Sequence, residues 1–174
     1  MAYVLSAPDN NAYMLAEGAS YPACPTCGLA TDREWINPGF KPGDVRLDAS
    51  YTYDGYLIVS ERFRSATQNR GAQFIELPAA PGFYSLVSDD EVPLDAEKRE
   101  TVFEQPCERC GRFFVVAGAT PAFLKLAEPL PDRLFRTDIK FGTGNEQAPL
   151  TVVGPGLAAQ LRETNLVAGS TSCR

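Results

Sequence analysis

The sequence predicts an α+β domain, built mainly from antiparallel strands with two helices. Three observations lead to this fold class. Short apolar runs alternate with Pro- and Gly-rich turns, two segments carry helix start and stop signals, and a repeated cysteine motif divides the chain. A chain of 174 residues is long enough to bury roughly 70% of its unfolded surface. We therefore expect one domain over residues 1–174.

Short strands are expected along most of the chain, because β-branched and aromatic runs are bounded by turn residues. The stretch 29–50 is rich in turn residues, and Ser-Asp-Asp-Glu at 88–91 is expected to form an acidic loop. Outside the cysteine motifs, the expected strands are residues 2–5, 12–16, 57–59, 72–77, 83–87, 134–141 and 150–153.

The two expected helices are marked by their ends. Ser60 is a suitable N-cap, Glu61 places a carboxylate in the first turn, and Gly71 ends the segment. The second helix opens at Pro155, a residue favoured in the first turn, and Asn165 can end it.

Two CxxCG motifs carry four of the five cysteines. They are Cys24-Pro25-Thr26-Cys27-Gly28 and Cys107-Glu108-Arg109-Cys110-Gly111. Two cysteines three residues apart on a tight turn can point both sulfurs at one ion, and the following glycine allows the positive φ that such a turn needs. We call each CxxCG turn a knuckle. Residues 101–104 and 112–117 flank the second knuckle as strands, which gives the strand–knuckle–strand layout of a zinc ribbon. The ribbon halves are expected around residues 20–30 and 103–115.

The repeated motif predicts one tetrahedral zinc site per chain, with Cys24, Cys27, Cys107 and Cys110 as ligands. Four thiolates fill the coordination shell, so the zinc would be structural, and the centre would carry a formal charge of about −2. Histidine is absent, which excludes a histidine ligand, a Ser-His-Asp triad and an HExxH helix. Two alternatives stay open: a pair of disulfides or redox centres, and unligated buried thiols. Cys173 is expected to lie in a frayed C-terminus.

The charge balance restricts the partners that the chain can bind. The formal net charge is −6, which opposes nucleic-acid binding and favours a cationic partner or simple solubility. Neither a signal peptide nor an apolar run long enough to cross a membrane is visible, so no membrane association is expected. A reducing cytoplasm is the expected compartment, because it keeps thiolates free for metal.

Other candidate sites are weaker. The Gly142–Asn145 and Gly154–Gly156 turns fit neither phosphate-binding pattern, and the carboxylates show no spacing that marks an acid–base pair. The alternative of a zinc-ribbon protein that binds nucleic acid or regulates has only Arg33, Arg109 and Arg112 near the knuckles. A dithiol oxidoreductase is a third hypothesis. Trp35, the one tryptophan, is either an interface anchor or a packing residue beside the knuckle.

The cysteine motifs and several other segments resemble the double-CXXCG-motif family, a set of small paralogous proteins abundant in myxobacteria. Members are associated with toxin loci, including those for contact-dependent swarming inhibition, as immunity proteins. The resemblance thus implies a cytoplasmic antitoxin that binds and blocks a cognate toxin and is not an enzyme. It assigns a role only to the four cysteines. The other similar segments are 58–63, 82–84, 136–142, 149–150 and 153–155.

An acidic domain of this kind suits fast association with a basic toxin. Under that hypothesis, Asp89, Asp90 and Glu91 are candidate partner-binding residues, together with Asp9. The alternative is that they are ordinary exposed carboxylates.

Overall fold

Two β-sheets form the framework of the protein in a computed structural model that describes residues 1–173. All but one of the strand pairs within them are antiparallel, which confirms the α+β class. The strands are β1 (Tyr3–Ser6), β2 (Ala49–Tyr51), β3 (Leu57–Ser60), β4 (Ala72–Glu76), β5 (Phe83–Ser88), β6 (Asp90–Val92), β7 (Val102–Pro106), β8 (Phe113–Ala117), β9 (Leu134–Thr143), β10 (Ala148–Val153) and β11 (Gly169–Ser172).

The larger sheet has seven strands, of which six lie in the order β11-β1-β10-β9-β8-β7 and the seventh, β6, pairs with β9. The smaller sheet has four strands in the order β2-β3-β5-β4. Strand β9 is the longest. Strand β10 lies along one of its sides, and two different strands share the other side. Its first half pairs in parallel with β6, and its last residues pair with β8. The β7–β8 hairpin therefore extends from one end of β9.

Three α-helices lie outside the sheets, where two were expected: α1 (Glu61–Thr67), α2 (Ala96–Arg99) and α3 (Pro155–Glu163). Ser60 caps α1, since its hydroxyl accepts the Phe63 N–H at 3.2 Å, and Pro155 lies in the first turn of α3. The unexpected α2 is a single turn capped by Asp95. None of the helices in residues 1–173 is long and apolar enough to cross a membrane.

The main core lies where the two sheets and two helices meet. It joins Leu134 and Val153 of the larger sheet to Leu57 and Val59 of the smaller, with Phe63 of α1 at 0% exposure. Leu157, Ala158 and Leu161 of α3 complete it.

Irregular segments cover the other faces of both sheets. Ile58 points away from its neighbours in β3 and packs against Met14 and Phe40, from the segment before β2. Phe135 and Val152 of the larger sheet pack against Leu124, Leu126 and Leu130 in the same way. Because both faces are buried, Leu57, Ile58 and Val59 are buried without alternation.

The expected strand at 12–16 is wrong, and a buried carboxylate explains why. Asp54, 1% exposed, accepts the Met14 N–H at 3.0 Å and the Leu15 N–H at 2.7 Å. These donors are thereby bound to a side chain instead of to a neighbouring strand.

The acidic loop at 88–91 and the frayed C-terminus are also corrected. Residues 90–92 form β6, which pairs with β9, and residues 169–172 form β11, which pairs with β1. Cys173 donates its N–H to the carbonyl of Ala2 at 2.9 Å and packs against two core clusters. Strand β2 was not expected either.

Candidate metal centre

The four cysteines of the two motifs meet at one point. Cys24 Sγ lies 3.9 Å from Cys107 Sγ, and Cys27 Sγ lies 3.7 Å from Cys110 Sγ. All four sulfurs lie within 4.8 Å of one another. Cys24 and Cys107 are buried, whereas Cys27 and Cys110 are partly exposed. The predicted convergence of the two motifs is confirmed.

These distances fit a tetrahedral ion and exclude disulfides. In a tetrahedron with metal–sulfur bonds of about 2.3 Å, neighbouring sulfurs lie about 3.8 Å apart. A disulfide would need about 2.05 Å, and all five cysteines are free. Four thiolates are a donor set that suits zinc or iron. The cysteines are therefore positioned to bind one metal ion.

The two knuckles have the same backbone geometry. The Cys24 N–H donates to the carbonyl of Leu29 at 2.9 Å, and the equivalent bond from Cys107 to Arg112 is 2.8 Å. Gly28 and Gly111 each donate to the carbonyl of the first cysteine at 2.8 Å. Both glycines have positive φ, +73° and +70°, a conformation that strains any residue with a Cβ.

Backbone N–H groups turned toward the sulfurs stabilise thiolates. Hydrogen bonds from the Cys27 and Thr26 N–H groups lower the pKa of Cys24, and the Arg112 N–H lowers the pKa of Cys110 to about 6. The Leu29 N–H has the same effect on Cys27, but burial and the three neighbouring sulfurs outweigh it and raise that pKa to about 11. Four crowded sulfurs cannot all ionise easily by themselves, and a cation among them removes the conflict.

The knuckles belong to different structural elements. The second is the turn of the β7–β8 hairpin, as the strand–knuckle–strand pattern predicted. The first lies in a loop that is closed by one isolated bridge, between Ala23 and Ala30, and by the Thr31 N–H on the carbonyl of Pro22 at 2.8 Å. The first ribbon half therefore lacks regular strands.

Two polar side chains hold the first knuckle in place, and sequence reasoning missed this role for both. Arg112 donates to the carbonyls of Ala30 at 2.7 Å and Leu29 at 3.0 Å, so it ties the two knuckles together. Asn145 accepts the Ala30 N–H at 2.7 Å and donates to the carbonyl of Gly28 at 3.2 Å. We call Arg112 and Asn145 the knuckle clasp.

Arg33 continues the clasp toward the smaller sheet. Its guanidinium donates to the carbonyl of Asn145 at 2.9 Å and to the carbonyl of Asp54. It also lies over the Tyr56 ring, 4.7 Å from its centroid. Both Arg33 and Arg112 thus donate to neutral backbone carbonyls of the chain.

The predicted partner-binding carboxylates lie away from the knuckle hairpin, at the other end of β9. Asp89 is exposed and accepts from Gln73 at 3.0 Å. Asp90 pairs with Arg133 at 3.0 Å, and Glu91 pairs with Arg136 at 3.1 Å. Two of the three carboxylates are therefore neutralised within the chain.

The other two candidate residues have simpler surroundings. Asp9 is exposed and forms an isolated bridge with Tyr51. Trp35 is half-buried and packs against Tyr21, with ring centroids 6.0 Å apart, beside the first knuckle.

The donor set also limits what the centre can do. Four thiolates around one ion complete a tetrahedral shell, with no position for a water or a substrate. Comparisons with protein-family models, curated proteins and solved structures found no match to this chain. The role of the centre is therefore inferred from its residues and geometry.

Proposed function

We propose that this protein is an immunity protein, which binds a basic protein toxin and blocks its active site without turning over a substrate. The four-thiol centre is the main observation behind this proposal. With four thiolates a bound metal has no open position for a substrate, so the centre suits a structural role and not catalysis. The acidic charge of the chain suits a basic partner. The resemblance of the cysteine motifs to toxin-associated immunity proteins supports the same function.

The ion at Cys24, Cys27, Cys107 and Cys110 is, in this proposal, one structural Zn²⁺ per chain. Sulfur separations of 3.7 and 3.9 Å match a zinc tetrathiolate. Elemental analysis of protein purified under reducing conditions should give about one zinc per chain. Iron at the same stoichiometry, visible as colour, would contradict zinc, and the absence of any bound metal would contradict the site.

A cytoplasmic location is part of the proposal. The four sulfurs are free thiols, and a reducing compartment keeps thiols available for metal. In an oxidising compartment, sulfurs at these separations would be at risk of pairing as disulfides.

The nucleic-acid alternative is less well supported by the contacts around the knuckles. Arg33 and Arg112 donate to backbone carbonyls, so their donors are already engaged with the chain itself. A zinc tetrathiolate would also bring the formal charge from −6 to about −8. Binding of DNA or RNA with a steep salt dependence would favour this alternative.

The oxidoreductase alternative is disfavoured by the local structure. Reactive CxxC pairs usually lie at a helix N-terminus, where the dipole favours the thiolate. Here the second motif leads into β8, and no helix follows the first before β2. Rapid alkylation of a motif cysteine in the metal-loaded, folded protein would favour this alternative.

Co-expression tests the immunity function directly. The toxin-like reading frame encoded beside this gene would be expressed with and without the protein, and we expect the protein to restore growth. Cys27→Ser should abolish protection by removing a metal ligand, whereas Cys173→Ser should keep it. Failure of the folded, metal-loaded protein to protect against that toxin, or to bind it in purified form, would contradict the proposal.

A further inference from the structure

A pocket beside the first knuckle has aromatic walls. Tyr13, Tyr21 and Phe114 line it, and the Gly144–Glu146 turn and Leu15 complete it. Its volume is about 310 Å³, at the small end of the range for ligand pockets, so it suits one side chain better than a cofactor. We call it the aromatic pocket.

The rings around this pocket are unusually exposed. Tyr13 is 46% exposed and packs at a tilt against Tyr53, which is 42% exposed, with ring centroids 5.1 Å apart. Phe114 is 36% exposed. Exposed aromatic rings gathered at one concave site are typical of protein-binding surfaces.

The charges at the pocket are all negative. No lysine or arginine of residues 1–173 lines it, whereas Asp54 and Glu146 do. The Asp54 carboxylate is occupied by two backbone N–H groups. The Glu146 carboxylate has one donor within the described chain, the Tyr13 hydroxyl at 3.5 Å, which is the outer limit of a hydrogen bond. It therefore has acceptor capacity left for a ligand.

Four rings elsewhere in the described chain already have a cation of the protein over their face. Arg33 lies over Tyr56, Arg64 over Tyr84 at 5.1 Å and Arg162 over Tyr3 at 5.4 Å. Arg33 donates to the carbonyls of two pocket residues, Asn145 and Asp54, but its guanidinium lies over Tyr56. Among the described residues, no cation lies over the rings of the aromatic pocket, which joins ring faces to a carboxylate. This combination is the chemistry of a cation receptor.

Hydrogen bonds hold the walls of the pocket in place. Asn145, in the turn that forms one wall, is bound to the first knuckle. Gln147, just beyond that turn, donates to the carbonyls of Phe113 at 2.8 Å and Phe114 at 3.0 Å. These hydrogen bonds tie the pocket walls to the first knuckle and to β8, which reduces the entropy lost on binding.

We propose that the aromatic pocket binds an arginine side chain of a basic protein partner. The planar guanidinium would stack on the rings and donate to the Glu146 carboxylate, a combination that lysine matches less well. A second copy of this chain is disfavoured as the occupant, because two chains of charge −6 repel each other. The proposal rests on the proposed function in taking the toxin as the partner, but the pocket can be tested without it.

The direct test uses acetyl-arginine-methylamide as the probe and the citrulline analogue, which has the same shape and no charge, as its control. The backbone amides of the zinc-loaded full chain are followed by NMR. With arginine, we expect shifts at Tyr13–Leu15 and Gly144–Glu146, weaker in high salt and lost in Glu146→Gln. Equal shifts with citrulline, or shifts scattered over the acidic surface, would overturn the proposal. So would self-association that fills the pocket without a probe.

The partner-level test uses matched variants. Tyr13→Ala and Glu146→Gln should each weaken toxin binding about tenfold. The controls are Phe103→Ala, whose ring is similarly exposed at 39%, and Glu104→Gln. Protection by the wild type together with unchanged binding by both pocket variants would overturn this proposal and leave the immunity function standing. Arginine binding at the pocket without protection from the toxin would support the arginine site and contradict the immunity function.

Discussion

Two side chains outside the cysteine motifs set the position of the first knuckle. Asn145 and Arg112 together make four hydrogen bonds to backbone groups of Gly28, Leu29 and Ala30, between 2.7 and 3.2 Å. Mutation of groups that orient metal ligands typically lowers metal affinity by about 10–100-fold. The clasp is therefore expected to determine how tightly the ion is held.

Asn145→Ala tests the clasp. It removes the acceptor for the Ala30 N–H and the donor to the Gly28 carbonyl. We expect the free energy of unfolding to fall by about 2–3 kcal/mol. We also expect the affinity for zinc, measured in competition with a chelator, to fall roughly tenfold. Urea denaturation and a chromogenic chelator measure the two effects.

The matched control is Asn37→Ala, which loses only a turn contact to the Gly39 N–H at 2.9 Å on the surface. Its zinc retention should be unchanged. Equal zinc retention by Asn145→Ala and the wild type would show that the clasp does not support the metal centre.

Cys173 gives a second prediction for a single residue. Burial raises the pKa of this thiol from 9.0 to about 11, so its thiolate fraction at pH 8 is about 100-fold lower than that of an unperturbed thiol. We expect correspondingly slow alkylation by iodoacetamide in the folded, metal-loaded protein and fast alkylation in urea with chelator. Peptide mass spectrometry measures both rates. Fast labelling of Cys173 in the native state would mean that the C-terminal strand is open.

The metal ligands could be predicted from sequence because each CxxCG motif encodes its own turn. The clasp could not be predicted, since Arg112 and Asn145 lie 82 and 115 residues from Ala30 along the chain. The Gly142–Asn145 stretch was expected to be a turn, but Gly142 and Thr143 still belong to β9 and only Gly144 and Asn145 lie in the turn that follows. A turn pattern also does not show which distant residue it will contact. Cys173 was expected to be frayed because it lies next to the C-terminus. Its pairing could not be predicted, since its partner, Ala2, lies at the opposite end of the chain.

At the scale of elements, α1 shows how a short helix is fixed at its start. Hydrogen bonds from Arg64, and then from the Tyr84 hydroxyl, lower the pKa of Glu61 from 4.5 to about 2. Arg64 donates to both carboxylate oxygens, at 2.8 and 2.7 Å. These contacts join the first turn of α1 to β5.

The lowered pKa of Glu61 predicts a pH dependence. A carboxyl group whose pKa is lower in the folded state stabilises the fold above its unfolded pKa and loses that effect as pH falls. The loss for Glu61 should therefore run from about pH 4.5 down to about pH 2. Arg64→Ala should raise the Glu61 pKa toward 4.5, measured by carboxyl NMR titration.

Arg62→Ala is the control for this titration, because Arg62 pairs with Asp48 at 2.6 Å and not with Glu61. The pKa of Glu61 should not move in this variant. A wild-type Glu61 that already titrates near 4.5 would show that the contacts with Arg64 and Tyr84 do not persist in solution.

Elements with an apolar or alternating pattern could be predicted, whereas polar elements could not. Strand β6, Asp-Glu-Val, has no strand signal of its own and forms because it pairs with β9 and its carboxylates pair with Arg133 and Arg136. Strand β11, Gly-Ser-Thr-Ser, likewise forms through pairing with β1. Conversely, residues 12–16 look like a strand but are bound by the Asp54 carboxylate. In each case a distant residue decides the local structure.

At the scale of the whole molecule, the metal centre would reinforce a junction between two parts of the chain that the knuckle clasp already connects. The second knuckle extends from the larger sheet, whereas the first lies in the long segment that covers the smaller sheet and supplies Met14 and Phe40 to its outer core. Between Cys27 and Cys107 there are 79 residues. An ion at the four sulfurs would thus hold the covering segment against the edge of the larger sheet.

Removal of the metal should therefore loosen the molecule unevenly. Closing a loop of this length removes about 4–5 kcal/mol of chain entropy from the unfolded state. We expect the free energy of unfolding to fall by a similar amount in the presence of a strong chelator.

Hydrogen exchange in the metal-free protein should accelerate most in residues 21–40. The main core around Phe63, Val153 and Leu157 is built without the knuckles, so its amides should stay the most protected. Cys27→Ser should reproduce the chelator effect, and Cys173→Ser should not. Denaturation curves and exchange rates that are identical with and without metal would mean that the two knuckles are held together by the clasp alone.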